Sequence, residues 1–401
     1  MESLPLTTLL LVGAVIVLSM ALRYTADAVG LSPVVGFLAL GLLLRPTTAA
    51  LGLPPLTDQQ VFPFLADLGV VALLFRVGLK SDLSRLLEQL PEALWIGLGN
   101  VLGSGGSALF VALVVLEWPL VPSLFAATAL TATSVGVTVA VWEEAGGLDT
   151  REGTILVDVA ELDDVVGIVL MALLFAVAPL LASGSAVGPT IVVTLGRILG
   201  ILALFGMGCV LFARYLERPL TRLFERLHAG DGTMLVILGV GIIVAALADL
   251  GGLSLAIGAF FAGLIFSRDP STTQYLDAFR PLHDLFAPFF FVGIGLHVVP
   301  DALTAIGPGL IALLLAAILG KVIGAYVPAR PMLGSTGAAI LGLSLVPRAE
   351  IALVIVQRGL ELGPWAVPPS IFGTIVLISA ITVVGTPLLL RPLLRQQLPN
   401  R

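Results

Sequence analysis

Residues 152–180 read EGTILVDVAELDDVVGIVLMALLFAVAPL, an apolar run that nevertheless carries, beyond Glu152 at its start, four acids, Asp158, Glu161, Asp163 and Asp164. A helix needs about 20 mostly apolar residues to cross a bilayer, and this run is long enough. At 100° per residue Asp158, Glu161 and Asp164 fall on one spiral stripe, with Asp163 about 100° from Asp164. Asp164 lies twelve residues beyond Glu152, about 18 Å into the membrane at 1.5 Å per residue. A charge at that depth costs several kcal/mol, and residues of this kind mark ion pathways.

The rest of the chain has the same character. Of 401 residues 58% are hydrophobic and 11% charged, with a mean hydropathy of +1.09. Soluble domains run near a quarter charged, so this chain has too few charges to solvate a water-facing surface. It reads as an all-α polytopic membrane protein. A net charge of −6 and the lack of a basic tract exclude nucleic acid as a partner. The single cysteine, Cys209, rules out a disulfide framework, and the scattered His228, His283 and His297 give no metal centre. The first span follows Met1-Glu2 without a basic stretch, so it is expected to be a retained helix and not a cleaved signal.

Apolar runs bounded by Pro, Gly and charge predict thirteen spans, near 4–23, 32–45, 61–79, 92–116, 121–145, 152–180, 188–215, 232–249, 253–267, 278–298, 303–327, 333–360 and 367–391. Cytoplasmic ends collect Lys and Arg. With the N-terminus outside, fifteen basic residues fall at cytoplasmic ends and three at outer ends. The expected orientation is N-out, C-in, with an exposed cytoplasmic linker from Arg214 to Arg226.

The two halves also match in order. SPVVGFLALGLLLRP (32–46) pairs with SLAIGAFFAGLIFSRDP (254–270), so that Gly36 meets Gly258 and Gly41 meets Gly263; LFRVGL (74–79) pairs with FVGIGL (291–296); TVAVWEEAG (138–146) pairs more weakly with ALVIVQRGL (352–360). The offsets are 222, 217 and 214 residues, or seven spans. Seven is odd, so the second copy enters from the opposite face. Inverted repeats are a secondary-transporter architecture, with the substrate site near the midplane. The expected organisation is one integral membrane domain over 1–401. Its first repeat covers about 1–180, a connecting helix 188–215, and the second repeat 232–391.

Two further features fall at the depth of the aspartates. Lys321, in AAILGKVIGAYV, is nine residues from Arg330, roughly 13–14 Å from the cytoplasmic end. It is one of two lysines against eighteen arginines, which points to a need for a compact ammonium able to give up its proton. In the fifth span LTATSVGVTV (130–139) sets Thr131, Thr133, Ser134 and Gly136 in mid-membrane, and in the twelfth LVPRAEIAL (345–353) places Pro347 beside Arg348 and Glu350. Both predict broken helices whose freed carbonyls and half-helix dipoles coordinate a cation or offset a charge. Arg348 and Glu350 are expected to pair with each other. The competing reading is that all of these charges are structural ion pairs. GLGNVLGSGG (97–106) lies inside a span and reads as close helix packing, not a nucleotide loop.

These residues resemble the NapA-type sodium/proton antiporters of the cation:proton antiporter superfamily. The likeness covers essentially the whole chain and rests on TATSVG (131–136), Asp163-Asp164 with Gly167, FFFVGIGL (289–296), Lys321 and VPRAE (346–350). It implies thirteen helices in a dimerisation domain and a mobile core with two crossed broken helices, in a multi-pass protein of the inner (plasma) membrane. It further implies that Asp164 binds the transported Na+ or the proton, that Asp163 partners Lys321, and that Thr131 and Thr133 lie at the crossover. No cofactor is implied. A homodimer is, through the first three and the eighth to tenth spans. Asp158 and Glu161 depart from the family, where small or apolar residues are expected, and could widen a cytoplasmic funnel or alter ion preference. Potassium-efflux relatives replace the first aspartate with Gln and append a nucleotide-binding domain, and neither feature is expected here.

The expected activity is electrogenic exchange of cytoplasmic Na+ or Li+ for external protons, by alternating access and not by enzymatic chemistry. The alternatives are K+/H+ exchange on the same scaffold, a passive channel, or a non-transporting sensor.

Overall fold

With no water in the hydrocarbon core, every backbone N–H and C=O must find its partner inside the segment, so apolar runs of this length become helices. The computed structural model describes residues 6–50, 61–81, 83–183, 189–216, 219, 232–267, 272–298 and 307–397. His228 and most of the expected linker after Arg214 lie outside these residues. The helices are α1 (Leu6–Ala28), α2 (Val34–Ala50), α3 (Val61–Lys80), α4 (Leu83–Phe110), α5 (Leu120–Thr131), α6 (Val135–Glu144), α7 (Arg151–Ala182) and α8 (Pro189–Tyr215). They continue with α9 (Gly232–Leu250), α10 (Leu255–Phe266), α11 (Thr272–His297), α12 (Pro308–Ser344), α13 (Glu350–Leu362) and α14 (Pro369–Gln397).

Among the described residues eight stretches are long and apolar enough to cross a membrane, and three shorter apolar helices accompany them. α5 with α6 forms one interrupted span, and the end of α12 with α13 forms another. Gly334, at φ 70 and ψ −177, is non-helical and divides α12, so the two spans expected over 303–327 and 333–360 meet at this bend. Counted in this way, the described helices follow the thirteen expected spans. α4 starts earlier than expected because Leu83, Leu86, Leu87 and Leu90 keep a helical spacing through the charged segment. It ends in a π turn, Val111–Val115, closed by the Leu116 N–H donating to Val111 O at 2.9 Å.

The chain divides into two units. The first comprises residues 1–83 and 196–297, the second residues 84–195 and 298–401. In the first unit, Phe75 of α3 lies against Phe279 of α11 with ring centroids 5.1 Å apart, inside a core that includes Leu79, Ile237, Ile265 and Phe266. Glycines let its helices touch backbone to backbone, the packing that replaces the hydrophobic drive inside lipid. A side chain at Gly263 would strike Phe75 O and one at Gly78 would strike Phe260 O; likewise Gly41 faces Val292 O and Gly295 faces Leu38 O. The glycines matched between the halves of the sequence therefore meet crosswise, Gly78 with Gly263 and Gly295 with Gly41.

Gly263→Val is accordingly expected to lower the yield of monodisperse protein several-fold, since a backbone oxygen cannot yield as a side chain can; overpacking of this kind costs about 1–3 kcal/mol or more. Gly239→Val in α9, where nothing lies within 4 Å of an added Cβ, is the control, and fluorescence-detected size exclusion reads both. Equal profiles would refute the backbone-contact account.

Candidate ion-binding site

The site is built within the second unit from α4, α5, α7, α12, α13 and the two breaks. α5 ends at Thr131, Ala132 is extended (φ −65, ψ 144), and Ser134 precedes α6. In the second break Pro347 has no N–H and disfavours helix in the residue before it, and Ala349 (φ −145, ψ −99) lets α13 begin at Glu350. The breaks cross in contact. The Ser134 N–H donates to Pro347 O at 2.8 Å, and the Ser134 hydroxyl donates to Glu350 Oε2 at 2.9 Å. Thr138 and Trp142 of α6 close the end of α12, donating to Ser344 O at 2.7 Å and to Ser344 Oγ at 2.9 Å.

At the centre is Lys321, fully buried. Its ammonium has three N–H groups, and each has a partner: Asp163 Oδ2 at 2.7 Å, Thr133 Oγ1 at 2.8 Å and Thr131 O at 2.6 Å. The Thr133 hydroxyl in turn donates a hydrogen bond to Asp163 Oδ2 at 2.7 Å. Asn100 Nδ2 of α4 is a third donor to the same oxygen. Added hydrogen bonds offset the desolvation of a buried ion pair, and here they all converge on Oδ2. Asp163 Oδ1 is buried with no hydrogen bond.

Asp164, the next residue on α7, is 7% exposed. It makes no hydrogen bond or ion pair among the described residues. Glu350, Asp163, Glu161 and Lys321 are the charged groups that act on it across space. Of the two further acids on the stripe, Asp158 is 2% exposed and Glu161 half-buried, and neither bonds to Lys321.

Arg348 corrects an expectation. It forms no ion pair with Glu350; its fully buried guanidinium instead donates to Ala132 O at 2.8 Å, Leu345 O at 3.3 Å and Ala317 O at 3.5 Å, and its backbone N–H donates to Thr382 Oγ1 at 3.2 Å. Ala132 and Leu345 close α5 and α12, where unpaired carbonyls carry the negative end of the helix dipole. One cation serves both ends, while Glu350, at the head of α13, turns to Ser134.

Asn100 and Thr382 were not singled out from the sequence. For Asn100 a signal existed. GNVLG (99–103) matches GKVIG (320–324), an offset of 221 residues within the range of the other paired segments. Asn100 therefore stands at the place that Lys321 holds in the second half. The expected close packing of 97–106 is present too: added Cβ atoms at Gly99 and Gly103 would strike Gly324 O and Gly320 O.

A buried carboxylate with no bonded partner among the described residues, beside a buried lysine–aspartate pair where two interrupted helices cross, defines a secondary ion transporter. The sequence model described as sodium/hydrogen exchanger, transmembrane, matches residues 10–396, and the chain belongs to that family. It is 29% identical over 343 residues to the high-affinity Na(+)/H(+) antiporter NhaS3 of Synechocystis sp., covering 83% of this chain and 72% of that protein. It is 27% identical over 399 residues to an Na(+)/H(+) antiporter of Enterococcus hirae, covering 98% of each. The structure of the sodium proton antiporter MjNhaP1 from Methanocaldococcus jannaschii shares the fold, with a TM-score of 0.76 at 16% identity over 98% of this chain and 99% of that one.

Proposed function

We propose that the chain exchanges Na+ or Li+ for protons, and that the carrier of both is Asp164. The supporting observation is that this carboxylate is buried and has no hydrogen-bond or ion-pair partner among the described residues, while Oδ2 of its neighbour Asp163 already accepts from Lys321, Thr133 and Asn100. An oxygen ligand of that kind in mid-membrane is expensive unless it meets a cation or a proton. Cation and protons compete for it. Sodium requires Asp164 charged, and its arrival displaces Lys321 from Asp163, after which the ammonium proton is lost; protonation reverses the step. The acids titrate as a coupled group. Two protons per cation follow from the Asp164 and Asp163–Lys321 pairing, which makes exchange electrogenic. A one-for-one ratio from the reversal potential would refute that.

Access alternates by an elevator-like movement of the unit that holds the site, with the N-terminus outside and the C-terminus in the cytoplasm of the inner membrane. The crosswise glycine contacts support the inverted-repeat reading. The protein works as a homodimer through the first three and the eighth to tenth spans; crosslinks between copies that never involve those spans would refute this.

The test is purified protein in liposomes with an acid interior and a pH-sensitive dye. Addition of sodium or lithium is expected to dequench the dye, and lowering the external pH to raise the sodium concentration required. A response to potassium alone would make the protein a potassium/proton exchanger. Conductance that persists without a proton gradient would make it a channel.

A further inference from the structure

We propose that Asn100 is a positioning residue for the transported cation: it is the fixed donor that keeps Asp163 Oδ1 turned toward the ion when Lys321, the movable donor, withdraws. This rests on the exchange reading above. The argument starts from the count of donors. Asp163 Oδ2 accepts from Lys321, Thr133 and Asn100, while Asp163 Oδ1 and Asn100 Oδ1 are both buried with no hydrogen bond. Buried acceptors left open beside a saturated neighbour are uncommon and costly. One carboxylate oxygen and one amide oxygen, each without a donor, are the ligand type a small hard cation takes.

The second step concerns which donor stays. Asn100 and Lys321 occupy matching positions of GNVLG and GKVIG, and their helices touch through Gly99, Gly103, Gly320 and Gly324. The two backbones are in contact at this crossing, so Lys321 can leave Asp163 by side-chain motion without moving them. Lysine has four rotatable bonds and a compact charge that moves freely; asparagine has two, and its amide is fully enclosed. After Lys321 leaves, Asn100 and Thr133 remain as the groups that orient the carboxylate. Asparagine carries no charge at this place, so it does not compete with the cation as a second lysine would.

Asn100→Ala removes the amide and its volume; Asn100→Leu removes the amide and keeps the volume. Sodium and lithium KM and Vmax are measured for both at one fixed pH in liposomes, with sodium-dependent thermal stabilisation of the detergent-purified protein as an independent readout of binding. The expected result is a KM for sodium raised about tenfold in both variants, the size of one lost charge-assisted hydrogen bond. Vmax is expected within about twofold, and the sodium-dependent stabilisation to be reduced in step. A raised KM in Asn100→Ala alone identifies a packing role and overturns the proposal, as does a wild-type KM in both. If neither variant folds, Asn100→Ser, which keeps a shorter donor, is expected to give an intermediate KM, and a wild-type value there overturns the proposal. Wild-type protein that responds to no cation refutes the exchange reading itself; wild-type exchange with unaltered variants refutes only the role of Asn100.

Discussion

Asp164→Asn is expected to reduce sodium- and lithium-driven proton movement to the level of empty liposomes while the protein still folds. Asparagine keeps the shape of the side chain and removes its charge. Nothing in the described structure is bonded to that carboxylate, so no partner is orphaned by the change. The acidic groups that act on it, Glu350, Asp163 and Glu161, lose a like-charged neighbour, so thermal stability is expected to be at least that of wild type. Sodium-dependent stabilisation should vanish together with transport. The result that would sink the assignment is a variant that still exchanges cations, since a neutral amide cannot carry a proton and a cation in turn. Loss of folding together with loss of transport would instead give Asp164 a structural role.

Arg348→Leu is expected to have the largest effect on folding. The guanidinium serves Ala132 O, Leu345 O and Ala317 O from within the protein. With leucine all three lose its charge-assisted bonds; Leu345 O keeps only the long bond from Thr133 Oγ1 at 3.4 Å, and Ala132 O keeps no donor among the described residues. A hydrogen bond to a charged group is worth about 1.5–3 kcal/mol, and the loss falls on the junction that holds both breaks together. A destabilisation of about 3 kcal/mol or more is expected, read as a lowered Tm in detergent and a reduced folded fraction, with exchange lost. Arg348→Lys should recover part of the stability, because a point charge reaches fewer carbonyls than the planar fork. An unchanged Tm in Arg348→Leu would mean that the crossing does not depend on this cation.

How far the site was legible in the sequence follows from what each signal depends on. The acids of 157–164 and Lys321 stood out because a charge in an apolar run is rare and costly wherever its partners are. The breaks stood out for similar reasons: Pro347 and the hydroxyl-rich 131–134 weaken a helix locally. A basic and an acidic residue beside one helix break suggest a mutual pair that neutralises the helix ends, but α13 begins at Glu350, and the two side chains turn to different partners, Ala132 O and Ser134. Asn100, taken locally, is only a polar residue in a glycine-rich stretch. Its meaning depends on the contact of two helices 221 residues apart in the chain, which no local property reveals.

The sequence by itself determined that this is a polytopic helical membrane protein, where its spans lie, and that acids and one lysine share a depth in mid-membrane. Those conclusions rest on transfer free energies and helical periodicity, which are properties of short segments. Only the tertiary structure decided which oxygen of Asp163 is saturated and which is open, that Asp164 is left without a bonded partner, and that Arg348 neutralises carbonyls and not a carboxylate. Hydrogen bonds act over about 3 Å, and at that range the outcome depends on how each helix is rotated and how closely the glycines let two backbones approach.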